Sequence, residues 1–291
     1  VLGDERLSYA EVDARSAEMA RGLLAIGVGK GTHVGLLAPN GPEWVVAWFA
    51  ATRIGAVVAM LNTYARAREL GRSLRHADVA HLLTVASHLG HDYLDRLEEV
   101  APALDGASAP LMLPTHPYLR TVWAWGGEPR PWVGEVDELV RCSTRVPVEV
   151  VEAAEAEVHP SDAMVMVFSS GSTGDPKAAV HSHGAVVRHP HNLNQLRDLR
   201  PDDVLYTPMP LFWVGGFSFT LVAAMHAGCT LVFEEQFEPG ATLELIERER
   251  VTQVLGWPHM AKALIDHPSF AERDLSSVRG GNVTALLPQA Q

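Results

Sequence analysis

The sequence predicts an α/β fold in which layered parallel or mixed sheets are flanked by helices. Short apolar runs alternate with helical patterns, as expected of parallel strands that are covered on both faces. The chain has 291 residues, 47% of them hydrophobic and 20% charged, which is enough apolar material for a large globular core. No apolar run is long enough to predict a membrane span.

The alternation is clearest in the first hundred residues. Ser8 is expected to cap a helix over 10–26, and Gly27 or Gly29 to end it. The turn Asn40-Gly41-Pro42 places proline in the first turn of a second helix. The other predicted elements are strands over 33–37, 56–61 and 81–85 and a helix over 66–76.

The periodic pattern fades between 102 and 160, where eight prolines interrupt it. This stretch is predicted to be loop, short strand or a variable connection. Trp123, Trp125 and Trp132 lie in it and are interpreted as packing residues. The pattern divides the chain into a first α/β part over 1–101, the connection 102–160 and a last part over 161–291, and its length allows one large domain or two ordinary ones.

In the last part, Ser182 is expected to cap a helix that Pro190 kinks or ends, and Thr242 to cap another. Glu234 and Glu235 are adjacent, so on a strand they would face opposite sides and form no acid/base pair. The other predicted elements are strands over 163–168, 178–180, 205–206, 229–233 and 252–255 and helices over 219–227, over 243–250 and from 256 onward.

Between two of these strands lies a segment of hydroxyls, glycines and one lysine. Glycines let backbone N–H groups converge on an anion, hydroxyls add donors, and lysine adds a mobile positive charge. The sequence therefore predicts a phosphate-binding loop, with a linker or a hairpin turn as the alternative. It is neither a Walker A loop nor a Gly-x-Ser-x-Gly elbow. Its residues are Ser169, Ser170, Gly171, Ser172, Thr173, Gly174 and Lys177.

A second candidate segment follows the strand at Leu205-Tyr206. Phe212 and Trp213 stand just before the paired glycines Gly215 and Gly216. Aromatic rings beside glycines suit the wall of an apolar slot, because glycine lets a ligand approach the backbone. A strand-to-helix turn packed by aromatic residues is the alternative interpretation.

Composition excludes several classes of function. A net charge of −12 argues against a nucleic-acid surface, and two cysteines cannot build a disulfide framework. The start carries no basic-then-apolar signal segment, so a cytoplasmic location is predicted. The cluster His181, His183, His189 and His191 invites a zinc interpretation, which the lack of a nearby cysteine and the 14 histidines of the chain disfavour.

The stretch from Ser169 to Lys177 resembles the phosphate-binding signature of the AMP-forming adenylating superfamily, which includes the acyl-CoA synthetases. The turn Ala38-Pro39-Asn40 and the tail over 274–281 also resemble family segments, the tail being similar to the approach to the adenine-facing edge. Residues 208–217 resemble the acyl-pocket segment, although Trp213 stands where the family has histidine.

The resemblance implies the N-terminal domain of an acyl-adenylate-forming enzyme, which activates a fatty or aryl carboxylic acid with ATP and passes it to coenzyme A. Lys177 and Thr173 would be catalytic, the loop from Ser169 to Lys177 would bind ATP, and Thr173 would contact Mg²⁺. Phe212, Trp213, Gly215 and Gly216 would line the acid pocket. The expected partners are the acid, ATP and CoA, without nucleic acid, and a homodimer is left open.

The family's glutamate segment, ribose-binding aspartate and mobile C-terminal domain have no match here. The resemblance therefore implies one large, incomplete N-terminal domain of two interleaved α/β subdomains, and a truncated chain that adenylates poorly is expected. Two other hypotheses stay open: a non-catalytic nucleotide-binding module of the same fold, and an unrelated nucleotide-binding α/β protein.

Overall fold

The computed structural model describes residues 1–169 and 177–282, and the chain divides into two compact units. The first unit is Leu7–Ala185, and the second combines Val1–Arg6 with Val186–Gln291. The partition into 1–101, 102–160 and 161–291 stays a prediction.

A seven-stranded sheet lies at the centre of the first unit. The strands of this unit are β1 (His33–Leu37), β2 (Val57–Met60), β3 (His81–Val85), β4 (Ser87–His88), β5 (His91–Asp92), β6 (Thr121–Trp125), β7 (Val133–Glu135), β8 (Ala163–Ser169) and β9 (Lys177–Ser182). The strand order is β7-β6-β3-β1-β2-β8-β9, and β4 pairs with β5 separately. Every neighbouring pair of the large sheet is parallel except β8 and β9, so the predicted parallel or mixed sheet is confirmed.

The helices of the first unit begin and end close to their predicted bounds where capping signals are strong. They are α1 (Tyr9–Ala25), α2 (Pro42–Arg53), α3 (Ala67–His76), α4 (Tyr93–Val100), α5 (Val136–Arg141) and α6 (Val148–Ala156), with 3₁₀ helices at Pro102–Leu104 and Cys142–Arg145. Ser8 caps α1 as predicted: its hydroxyl accepts from the Glu11 N–H, and the Glu11 carboxylate accepts from the Ser8 N–H at 2.7 Å.

Residues 102–160 contain more regular structure than their prolines indicated. They supply β6 and β7 of the large sheet and the helices α5 and α6. Trp132 is buried at 2% exposure, in agreement with a packing role. The prolines stand between these elements, and Pro147 directly precedes α6, so they punctuate the pattern without breaking it.

The second unit is built on a four-stranded parallel sheet. Its strands are β10 (Val204–Thr207), β11 (Thr230–Phe233), β12 (Gln253–Val254) and β13 (Gly280–Gly281). Its helices are α7 (His183–Arg197, which begins in the first unit), α8 (Val214–Gly216), a π-helix (Phe217–Val222), α9 (Ala223–Ala227), α10 (Pro239–Arg248), α11 (Pro258–Ile265) and a 3₁₀ helix at Pro268–Glu272. The strand order is β11-β10-β12-β13. Among the described residues, no helix is both long and apolar enough to cross a membrane.

A buried carboxylate joins three of these strands at their amino ends. Asp203, 3% exposed, accepts hydrogen bonds from the Thr252 hydroxyl at 2.5 Å and from the Arg279 guanidinium, which also forms an ion pair with it. Burial alone would raise the pKa of Asp203, but these hydrogen bonds and that of the Arg200 N–H hold it below its ordinary value. The charged cluster thus fixes where β10, β12 and β13 start.

One helix prediction in the second half was wrong in part and one was wrong. Pro190 does not end α7, which continues to Arg197, and a kink at Pro190 stays a prediction. Thr242 does not cap α10; the Glu238 carboxylate does, accepting from the N–H groups of Gly240 and Ala241, and Pro239 occupies the first turn.

His81 on β3 links folding to pH. It is 7% exposed, and its Nδ1 lies 2.8 Å from the Thr121 hydroxyl. Burial lowers the pKa of His81 to about 4, and the nearby Arg120 charge adds to this effect.

The folded chain therefore holds fewer protons at His81 than the unfolded chain between pH 4 and 6.5. The contribution of neutral His81 to the free energy of unfolding is complete above pH 6.5 and is lost as the pH falls toward 4. The total loss is ~3 kcal/mol. Urea unfolding measured from pH 7.5 to 4 should show a shallower pH dependence for His81→Gln than for the wild type. The exposed-site control His76→Gln should keep the wild-type slope, and an unchanged slope in His81→Gln would contradict the assignment.

Candidate functional site

The candidate phosphate loop lies between two paired strand residues of the first unit. Ser169 ends β8, Lys177 begins β9, and the two are partners in the antiparallel register. Both are exposed. Antiparallel pairing therefore holds a hydroxyl and an ammonium group on adjacent strands, both open to a ligand from solvent.

The described flanks agree with the predicted strands on either side of the loop. β8 covers the predicted 163–168 and β9 the predicted 178–180. The remaining predicted loop residues, Ser170, Gly171, Ser172, Thr173 and Gly174, lie outside the described residues. Their proposed contacts with phosphate, and that of Thr173 with Mg²⁺, therefore stay predictions.

The end of β8 lies at the carboxyl edge of the parallel part of the sheet. β8 pairs in parallel with β2, and β2 pairs in parallel with β1, so the segments that follow these strands meet at one edge. Asn40 follows β1 and is 6% exposed, and Thr63 follows β2 and is 4% exposed. Ligands of open α/β sheets bind at the carboxyl ends of strands, which places Ser169 and Lys177 where a ligand is expected.

The second unit has a site of the same topological kind. After β10 the chain continues to β11, which is the outer neighbour of β10 at one end of the strand order. After β12 it continues to β13, which is the outer neighbour of β12 at the other end. The boundary between β10 and β12 is therefore a topological switch point, where a crevice opens at the carboxyl ends of the strands. The predicted acid-pocket residues Phe212, Trp213, Gly215 and Gly216 all follow β10 and lie at this edge.

Trp213 is held at this edge by its own turn. It precedes α8, the residue is 38% exposed, and its carbonyl accepts from the Phe217 N–H at 2.9 Å. Both glycines are buried against the turn: a Cβ on Gly215 would lie 2.7 Å from the Trp213 ring, and one on Gly216 would lie 2.2 Å from the Pro210 carbonyl oxygen. The glycines thus have a packing reason to be small, and their role toward a ligand stays a prediction.

The helix after Trp213 starts earlier than the predicted 219–227. α8, the π-helix and α9 follow one another without a break from Val214 to Ala227. The Thr220 hydroxyl donates to the Gly216 carbonyl, inside the π-helical part. π-helical turns are rare and are frequently found at functional sites. The ligand-binding role of this segment stays a prediction.

Sequence reasoning missed Trp257, the second aromatic residue of this edge. Its ring centroid lies 5.5 Å from that of Trp213, and the ring stacks on His259 at 5.9 Å. The Gly256 N–H donates to the Asn282 side chain at 2.8 Å, which ties the segment after β12 to the segment after β13. Trp257 could have been found, because it directly follows a predicted strand of the same parallel sheet.

The acidic residue Glu234 follows β11 and serves the fold. Its carboxylate accepts hydrogen bonds from the Thr242 hydroxyl at 2.8 Å and from the Tyr206 hydroxyl. Burial raises the pKa of Glu234 above its ordinary value, against the lowering effect of the two hydrogen bonds. Glu235 is exposed, and the absence of an acid/base pair stays a prediction.

The histidines that invited a zinc interpretation are spread over two elements. His181 lies on β9, and the other three lie on α7. His183 begins α7; its Nε2 is buried without a hydrogen-bond partner, and desolvation lowers its pKa. Residues 1–169 and 177–282 contain no group of three or more His, Cys, Asp or Glu side chains that could hold a metal ion.

Known proteins resemble the chain over almost its whole length. Acyl-CoA ligase sidI of Aspergillus fumigatus is 31% identical over 277 residues, covering 95% of this chain and 46% of that protein. Feruloyl-CoA synthase of an Amycolatopsis species is 31% identical over 277 residues, covering 95% and 49%. The chain therefore spans about half the length of the curated relatives it matches.

A solved structure has the same fold. The anthranilate CoA ligase AuaEII, crystallised in complex with anthranoyl-AMP, superposes with a TM-score of 0.81 at 23% identity, covering 97% of this chain and 50% of that one. The family model described as AMP-binding enzyme matches residues 1–288. Because this match spans nearly the whole sequence, the chain belongs to the AMP-binding enzyme family.

Proposed function

We propose that this chain forms the ATP- and acid-binding half of an AMP-forming acid–CoA ligase. In the first step a carboxylate oxygen attacks the α-phosphorus of ATP, the bond to the bridging oxygen breaks, and pyrophosphate leaves. In the second step the sulfur of coenzyme A attacks the acyl carbon and AMP leaves. Membership of the AMP-binding enzyme family and the names of the relatives support this proposal.

The single observation that carries the proposal is the pairing of Ser169 with Lys177 across β8 and β9. It fixes both ends of the candidate phosphate loop at the carboxyl edge of the sheet, with the lysine exposed. The proposed role of Lys177 is to neutralise charge on the phosphates as pyrophosphate departs, because phosphoryl transfer depends on positioning and electrostatic stabilisation.

The fit of a bound Mg²⁺ rests on the chemistry of the predicted donors. The hydroxyl of Thr173 is an oxygen ligand of the kind that Mg²⁺ accepts, usually together with water and substrate phosphates. When bound, the ion would supply additional neutralisation of the phosphate charge. The protein's own part is to hold Ser169 and Lys177 in register beside that charge.

The proposed acid has an apolar tail, fatty or aryl, and no amino group next to its carboxylate. Trp213 and Trp257 present ring faces at the switch point of the second sheet. No acidic residue lies between Tyr206 and Val232 that could pair with an α-ammonium group. ATP–pyrophosphate exchange with fatty and with aryl acids distinguishes these two classes. Coenzyme A is the proposed thiol acceptor and the cytoplasm the proposed compartment.

The proposal is tested by ATP–pyrophosphate exchange with a panel of fatty and aryl acids. We expect acid-dependent exchange when the chain is joined to the further half that its relatives possess, and little exchange from residues 1–291 alone. ATP binding without acid-dependent exchange in either protein would instead favour the non-catalytic nucleotide-binding module. Full-rate exchange by residues 1–291 would contradict the expectation that this half adenylates poorly.

Substitution of Lys177 tests the phosphate contact without requiring turnover. Loss of one charged contact to phosphate should cost about 1.5–3 kcal/mol, so the Kd for ATP should rise roughly 10- to 150-fold in Lys177→Ala. Isothermal titration with MgATP measures the change. The control Lys262→Ala removes an exposed lysine of α11 that pairs with Asp266 at 2.5 Å, and it should bind ATP like the wild type. Equal ATP affinity in the two variants would contradict the assignment and favour an unrelated nucleotide-binding protein.

A further inference from the structure

Two exposed histidines of the second unit face each other across neighbouring helices. His191 lies on α7 and His226 on α9, and their ring centroids are 5.0 Å apart at an interplanar angle of 45°. The candidate acid and ATP sites use neither residue. The pair also differs from the cluster that invited a zinc interpretation from sequence, because His226 is 35 positions beyond His191.

The separation of the two rings suits a shared metal ion. Two imidazoles bound to one tetrahedral ion at nitrogen–metal distances of ~2.0–2.1 Å have ring centroids about 5 Å apart. The His191–His226 pair already has this spacing.

The backbones that carry the two rings are fixed relative to each other. The Asn194 side chain on α7 donates to the Ala223 carbonyl at the start of α9, at 2.8 Å. One turn of the π-helix earlier, the Arg197 guanidinium donates to the Phe219 carbonyl at 2.8 Å and lies 5.7 Å over the Phe219 ring. Because these contacts set the helix spacing without a metal, binding a metal would not have to order the helices.

A polar side chain, that of Gln195, lies beside the His191 ring. The Gln195 side-chain amide lies one helical turn away, with its nitrogen 3.2 Å from the His191 Nε2. An amide NH₂ group can only donate, so this Nε2 accepts the hydrogen bond, and a metal ion would take the place of the amide at its lone pair. Rotation of the amide would bring its oxygen to the same position as a third donor.

We propose that His191 and His226 form a two-imidazole site for a late first-row divalent metal ion, such as Ni²⁺, Cu²⁺ or Zn²⁺, which links α7 to α9. Imidazole nitrogens select these ions over Mg²⁺, which requires oxygen ligands. The net charge of −12 attracts cations to the protein. Water or the Gln195 oxygen completes the coordination.

The test is calorimetric titration of untagged protein with Ni²⁺ at pH 7.5. We expect one equivalent to bind, and either His191→Ala or His226→Ala to weaken binding at least tenfold, because each variant reduces a chelate to one imidazole. The matched control His76→Ala removes an exposed histidine of α3 and should leave the affinity unchanged.

The spectrum of bound Cu²⁺ provides a readout that does not depend on affinity. Electron paramagnetic resonance should show coupling to two imidazole nitrogens in the wild type and to one in His226→Gln. Unfolding melts in the presence of EDTA check that the variants fold like the wild type. An unchanged Ni²⁺ affinity in both single variants, or an effect in only one of them, would overturn the proposal.

Discussion

Parallel backbone pairing is the constraint on which the rest of this structure depends. In the first unit it joins β1, β2 and β8, and in the second it joins β10, β12 and β13. Since parallel strands point the same way, the segments that follow them emerge at one edge of each sheet. Residues far apart in the chain, such as Trp213 and Trp257, are brought into contact in this way.

The positions of the side chains at the carboxyl edge of each sheet depend on how firmly the strands are held. In the second unit, Asp203 holds the starts of β10, β12 and β13 through Thr252 and Arg279. At the other end of the same strands, hydrogen bonds to Trp213 and Gly256 hold the segments that carry the aromatic rings. In the first unit the antiparallel pair Ser169–Lys177 has this positioning role. Buried polar contacts hold the strands, and exposed side chains lie at their carboxyl ends. This arrangement is expected of a preorganised binding site.

Sequence reasoning succeeded where one local signal determined the outcome. Strands β1 and β3 have their predicted bounds, because each is a short, mostly apolar run of strand length. It failed where two signals competed: Thr242 looked like a cap, but Glu238 followed by Pro239 starts α10 one turn earlier. The π-helix after Gly216 and the contact between Trp213 and Trp257 depend on tertiary packing, which periodicity does not encode.

The central claim is that the segment between β8 and β9 binds the phosphates of ATP. A crystal structure of the chain with Mg²⁺ and a non-hydrolysable ATP analogue tests it most directly. We expect the phosphates to lie within hydrogen-bonding distance of the Lys177 ammonium group, at the end of β8. A nucleotide bound elsewhere, with Ser169 and Lys177 remote from its phosphates, would contradict it.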